Sequence, residues 1–419
     1  MPRLWGIGRG LDGFSPRGGR PTGGGSGMSA PGRIGAVLRD ADLLRSGGRM
    51  EEALALVDGA LQAAGDLPPL LMARITVLRE LGRCDAALQT STRLLALHPH
   101  LAEAHLAEGF VRLLVGDWAR GWACREWRWQ QPIYRRLVPK ELPVWDGSRR
   151  PGCRLRVIQE QGLGDFLQFS RYFPEVRERV GSLVVETPPP LLGLMRHSFP
   201  EIEFVSTGAR VEADAWVGLM SLVERLQASP CSIPCPGGYL VPPEAVPSET
   251  GRLLHSADAK AGSAIHPGSR SLRVGLAPTG NPRHFNDRFR SLPRECCARL
   301  EDLGDVLWYR VQPECPQHCG LSLGDPPFLL DDMAATARWI QSLDLVITVD
   351  TSVAHLAGAL GCPVWILLPH APDWRWGLAG DRTPWYASAR LFRQIRPADW
   401  STVMESLRQG LEGVQHARG

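Results

Sequence analysis

Residues 343 to 369, LDLVITVDTSVAHLAGALGCPVWILLP, constrain the fold most tightly, because two apolar runs flank a short polar turn and a small-residue helix. Val346 to Val349 reads as a strand buried on both faces. Apolar residues then recur at helical spacing from Ala354 to Leu360, and Val364 to Leu368 is strand again, with Gly361 and Pro363 ending the helix between them. This is a βαβ unit. Ligands of such open sheets settle at the carboxyl ends of strands, so Asp350, Thr351, Ser352 and His355 are expected to face a crevice. Free helix amides, two hydroxyls and an imidazole suit a phosphate. The plainer reading makes Asp350 or Ser352 an N-cap and His355 a satisfied surface residue. A serine hydrolase is disfavoured, because no G-x-S-x-G elbow surrounds Ser352 and no acid partner is evident.

Composition matters here for what it excludes. At 419 residues, 44% of them hydrophobic, the chain exceeds one ordinary core and should form two or three globular domains. A net charge of +3 from 47 basic and 44 acidic residues argues against nucleic acid or an anionic membrane surface as partner. The ten cysteines contain no C-x-x-C pair. Cys231 with Cys235 and Cys315 with Cys319 sit in Pro-rich loops unlike a zinc framework, and Cys315, His318 and Cys319 are a weak metal candidate. Nothing implies disulfides, and no apolar run reaches the roughly 18 residues of a membrane span. A reducing cytoplasm fits this composition. The first 30 residues are Gly- and Arg-rich and read as a disordered tail, with Met28 an alternative start.

Between residues 40 and 131 the sequence repeats with a period of 34. Gly48, Gly82 and Gly116 keep that step, as do Ala53, Ala87 and Gly121, Leu54, Leu88 and Trp122, and Leu61, Leu95 and Trp129. Small columns mark where two antiparallel helices approach, and GGRMEEALALV and LGRCDAALQTSTRLLALHP resemble tetratricopeptide repeats over about three units. Three such pairs need a cap, which the following domain is expected to supply. In WACREWRWQQP, Trp122, Trp127 and Trp129 offer either a ligand surface or a packed junction, and packing is the preferred reading. Residues 132 to 152 read as a linker.

After that linker, LRVIQEQGLGDFLQFSRYF places a strand at 155 to 159, a glycine turn, and a helix beginning near Asp165. Further strands are expected in SLVVE, FVSTG, DAWVGLMSL and RVGLAPTGNPRHFNDRFRSLP, alternating with helices. The stretch from 230 to 268, rich in Pro, Gly and Ser, should hold the hinge between two doubly wound halves.

Taken together, QGLGDFLQF, GNPRHFNDRFRS, DTSVAHLAGALG and PDWRW resemble the glycosyltransferases related to bacterial ADP-heptose heptosyltransferases, over residues 30 to 400. That resemblance implies a GT-B fold, two Rossmann-like halves with a nucleotide-diphosphate sugar held between them and no metal. The expected fold class is therefore α plus α/β, with tetratricopeptide helical repeats preceding a two-domain GT-B module. Its segments would be a tail over 1–30, repeats over 31–131, a linker over 132–152, an acceptor-side domain over 153–265 and a donor-binding domain over 266–419.

The resemblance also implies roles. Asp165 would be the base for an acceptor hydroxyl, although it also suits the N-cap of its helix. An ordinary carboxylate is a weak base, so a closed cleft with Phe166 and Leu163 around Asp165 is expected to strengthen it. Gly164 would let backbone approach the donor. With no metal or other cofactor, the departing diphosphate would be met by the helix amides after Asp350, by Thr351, Ser352 and His355, and by Arg288 and Arg290. Asn281 and Asp350 would orient the sugar, though Asn281 can equally cap a turn beside Pro282. The heptosyltransferases usually carry a lysine in this second loop, whereas APTGNPRHFNDRFR has none, and Arg283, His284 or Arg288 would stand in. Trp374 or Trp376 is expected either to stack on a ligand ring or to pack the domain interface. The expected activity is inverting transfer to a glycan or protein acceptor, with the repeats presenting that acceptor or a partner protein. A repeat scaffold without turnover and a nucleotide-sugar epimerase are the rival readings.

Overall fold

The computed structural model describes residues 30–244, 271–283, 286–301, 306–312, 320–326, 330 and 332–416. Most of the expected N-terminal tail with Met28, the second half of the expected hinge, His284, and the Cys315, His318 and Cys319 set lie outside the described residues.

Six helices open the described chain: α1 (Ala30–Ser46), α2 (Met50–Ala64), α3 (Pro68–Glu80), α4 (Cys84–Leu97), α5 (Ala102–Leu114) and α6 (Trp118–Arg125). They form three helical hairpins at the 34-residue period. Gly48, Gly82 and Gly116 end the first helix of each hairpin at φ of +75°, +74° and +88°, a region that only glycine enters at little cost. Each glycine is followed by the same closing bond. Arg49 N–H donates to the Leu44 carbonyl at 2.9 Å, Arg83 to Leu78 at 2.8 Å and Asp117 to Arg112 at 2.8 Å. The small column is equally physical: Ala53 and Ala87 are fully buried, and a side chain at Gly121 would meet Leu113 Cγ at 2.7 Å.

Two all-parallel sheets follow. The first has the order β3-β2-β1-β4, from β1 (Arg150–Ile158), β2 (Val180–Thr187), β3 (Glu203–Ser206) and β4 (Ala215–Gly218). Val157 pairs with Val185 on one side and Val217 on the other. The second has the order β6-β5-β7-β8-β9, from β5 (Leu272–Ala277), β6 (Val306–Arg310), β7 (Leu345–Val349), β8 (Val364–Leu368) and β9 (Ala389–Arg393). In both sheets the order reverses beside the first strand, which opens a crevice at the carboxyl ends of β1 and β4, and of β5 and β7.

The stretch expected as a linker is partly sheet. Trp145 N–H donates to the Trp216 carbonyl at 2.8 Å and Trp216 N–H to the Pro143 carbonyl at 3.0 Å, so residues 143–145 extend the first sheet beyond β4. β1 also begins earlier than expected, at Arg150.

The repeats are packed against both halves. Trp118 stacks on Trp385 at 5.1 Å, and Trp122 meets Trp374 at 5.1 Å and Phe169 at 5.7 Å. Trp129 packs edge-on to Trp216 at 5.0 Å, and Trp127 stacks on His105 within the array. The packed junction is thus the observed arrangement for Trp122 and Trp129, and Trp374 belongs to it as well. Below it lies a buried ion pair: Arg128 Nη2 donates to Glu160 Oε1 at 2.9 Å, to Ser221 Oγ at 2.7 Å and, through Nη1, to Glu126 at 2.6 Å. One apolar core runs from Ala53 through Trp122 and Phe169 to Trp385, while a second covers the far face of the second sheet.

Candidate active site between two parallel sheets

The loop after β1 ends in the Leu163–Phe169 helix, whose N-cap is Gly162. Asp165 serves that cap, accepting from the Gly162 amide through Oδ2 at 3.1 Å, as an aspartate three residues into a helix can. Its other oxygen, Oδ1, forms an ion pair with Arg375 Nη2 from the second half. The apolar wall expected around Asp165 is not what its carboxylate meets. Phe166 is fully buried in the core instead, and Asp165 keeps 22% of its side chain exposed.

Gly164 explains how close the halves stand. A side chain there would meet His355 Cδ2 at 2.8 Å and Ser352 Cα at 3.5 Å, so this glycine lets the first helix lie against the Ser352–Ala359 helix of the second half. The close backbone approach expected of Gly164 is to protein.

On the second half, Thr351 is the N-cap. Its hydroxyl accepts from Val353 N–H at 3.3 Å and lies 3.1 Å from Thr348 Oγ1, so neither Asp350 nor Ser352 holds that role. Asp350 closes β7 beside it. Burial, reinforced by the charge of Asp373 and opposed by Arg290 and Arg375, pushes its carboxyl up to about 6. His355 departs from the expected place at the crevice surface. It is only 4% exposed, bonds Tyr386 Oη through Nδ1 at 2.8 Å and stacks on Trp376 at 5.5 Å. Burial, with Arg375 and Arg171 nearby, holds its imidazole well below the ordinary value, so it is neutral and packs the interface.

The loop after β5 divides its residues differently from the sequence reading. Asn281 is exposed and accepts from Arg283 N–H at 2.9 Å, which is the turn-capping role. Arg288 is turned toward the repeats, where partial burial and the charge of Arg45 hold its guanidinium below the usual range against Glu80 and Asp42. Arg290 is the cation that reaches the crevice. It donates to the Asp350 carbonyl at 2.7 Å and to Asp287 Oδ1 at 3.2 Å.

Arg375 was not among the residues picked out from the sequence. Besides Asp165 it binds Asp373 Oδ1 at 2.7 Å and Gln168, and it lies over the Trp374 ring at 4.5 Å. Burial works against its charge, but Asp373, Asp165 and Asp350 outweigh burial and hold the guanidinium above its usual range. Its one signal in the sequence is its position inside PDWRW, between two more conspicuous tryptophans. Both tryptophans are buried, Trp374 in the junction and Trp376 against His355, so neither presents a free face to a ligand. Among the described residues no group of three His, Cys, Asp or Glu is arranged to hold a metal ion, and no helix is long and apolar enough to cross a membrane.

No protein-family model matches the chain. Protein FlbA of Caulobacter vibrioides is 26% identical over 386 residues, 83% of this chain and 62% of that protein. The chain thus spans about three fifths of its relative's length. Among solved structures it is similar to a family 9 glycosyl transferase from Veillonella parvula, at 12% identity and a TM-score of 0.42 over 66% of this chain and 100% of that one. It is likewise similar to the E. coli ADP-heptose lps heptosyltransferase II, at 12% identity and 0.42 over 63% and 99%. A mutant O-GlcNAc transferase from Thermobaculum terrenum aligns over 81% of this chain and 84% of its own, at 14% identity and a TM-score of 0.26. These similarities are too remote to add to what the two sheets display by themselves.

Proposed function

We propose that the protein is an inverting, metal-independent glycosyltransferase of GT-B type that moves a sugar from a nucleotide-diphosphate sugar to an acceptor hydroxyl. The observation that carries this reading is the meeting of the two crevice loops. Asp165 from one parallel sheet forms an ion pair with Arg375, and the charge of Asp350 from the other bears on the same guanidinium. The four motifs quoted above agree with it.

In this reading the diphosphate lies at the N-terminus of the Ser352–Ala359 helix, with Arg290 and Arg375 as its fixed cations. Its arrival competes with Asp165 for Arg375 and releases the carboxylate. Asp165 then takes the proton of the acceptor hydroxyl as that oxygen attacks the anomeric carbon, and the nucleoside diphosphate departs with the bonding pair of the broken C–O bond. Asp350, largely ionised above about pH 6, orients the sugar hydroxyls. The hairpins act as tetratricopeptide repeats that present a glycan or protein acceptor, or a partner protein.

A binding module without turnover is the second reading, favoured by the ion pair that engages Asp165. A thermal-shift screen against nucleoside diphosphates and their sugars, run with and without EDTA, tests both. A ligand at a hundredfold excess over its dissociation constant adds about 2.7 kcal/mol. A selective shift followed by release of the nucleotide supports the transferase, a shift without release supports the binding module, and no shift with any of them removes both.

A further inference from the structure

A cavity of about 480 Å³ lies between the 132–145 segment, the end of the repeats and the first sheet, within the range of small-molecule sites. Trp129, half-buried, and Val144, 48% exposed, supply apolar wall. Trp216, also in the wall and 3% exposed, has an indole N–H with no acceptor in the protein.

The charge balance of the lining is positive. Its single acid, Glu126, is fully engaged, accepting from Arg128 and Ser221 at Oε1 and from Arg225 at Oε2. Arg135 and Lys140 are exposed cations of the same wall. Arg135 donates to the neutral Gln130 at 2.7 Å, and among the described residues neither cation is bound to a carboxylate. We infer that this cavity binds a small organic anion built on a ring, an aryl or glycosyl compound carrying one carboxylate or phosphate. The ring lies on Trp129 and Val144, and the anion between Arg135 and Lys140. Glu126 and Ser221 both bond Arg128, which binds Glu160 in the loop that leads to Asp165, so an occupant bears on that loop through one shared arginine.

Calorimetric titration of the full chain with indole-3-acetate and glucose 6-phosphate, and with neutral indole and glucose, tests this. One acid is expected to bind while its neutral parent binds at least about tenfold more weakly, and the acid that binds identifies the aryl or glycosyl class. The double substitution Arg135→Ala and Lys140→Ala is expected to weaken that acid about a hundredfold. Both cations are exposed, so an unchanged melting temperature and an unchanged response to nucleoside diphosphates show that the fold and the crevice persist. Failure of both acids to bind, equal binding of the neutral parents, or an undiminished affinity in the double variant would each overturn the assignment.

Discussion

Arg375 of the second half holds the Asp165 carboxylate of the first, joining residues 210 apart in the chain. The same guanidinium binds Asp373 beside it, so one buried cation organises the acids on both sides of the crevice.

Removing that cation leaves Asp165, Asp373 and Asp350 facing one another. Arg375→Met is expected to lower stability by about 3 kcal/mol, and Arg375→Lys to recover only part, because an ammonium cannot reproduce the planar fork. Urea unfolding monitors both. An unchanged midpoint for Arg375→Met would mean that the ion pair contributes nothing net.

Asp165→Ala is expected to abolish transfer, a loss of about a hundredfold to ten-thousandfold, while nucleotide binding stays within roughly threefold. Single-turnover kinetics with the donor that emerges from the thermal screen separates the two effects. Wild-type turnover in this variant would remove Asp165 as the base.

Asp350 ties stability to pH. Its carboxyl, raised from 3.8 to about 6, stays protonated in the folded protein where the unfolded chain has already released its proton. It therefore costs stability as pH rises from roughly 4 to 6, by up to roughly 3 kcal/mol. Asp350→Asn should match the wild type near pH 4 and exceed it at pH 8. His355 works in the opposite sense: its folded imidazole titrates well below the ordinary 6.5, so the unfolded chain takes up the proton first and stability falls as pH drops through that value. His355→Gln should lose this acid sensitivity. Melting temperatures from pH 4 to 8 separate the two contributions, and parallel curves for Asp350→Asn and the wild type would refute the first.

Arg128 is 1% exposed and the Glu160 side chain fully buried, so breaking their pair strands a charge at the seam between the repeats and the first sheet. Arg128→Met is expected to cost about 3–5 kcal/mol. Because one apolar core crosses that seam, the repeats and the first half should unfold together in a single transition. Two separate transitions in the wild type would contradict the shared core.

Metal independence has a direct check. Prolonged EDTA treatment is expected to leave turnover within roughly twofold of the untreated enzyme, since fixed cations offset the diphosphate charge. Loss of activity restored by a divalent ion would sink that part of the mechanism.

What could be read without coordinates was local or periodic. The step of 34 residues anticipated three hairpins, because each needs a left-handed glycine and a small contact residue at the same offset. Val364 to Leu368 is the observed strand, and Val346 to Val349 falls one residue short of it, since a strand buried on both faces is an unbroken apolar run. The crevice loops followed from the rule that ligands of open parallel sheets settle at the carboxyl ends of the strands. Side-chain roles within them did not. Asn281, Arg288 and His355 have suitable chemistry and adjacent positions, yet one caps a turn, one faces the repeats and one is buried as a neutral ring.

The sequence by itself determined the elements and their repeat, because helix and strand periods and glycine backbone requirements are properties of a few neighbouring residues. Only the tertiary structure decided which groups share the crevice. Arg375 meets Asp165 because two separately formed sheets are pressed together at Gly164, and residues that are remote along the chain leave no local pattern of their pairing.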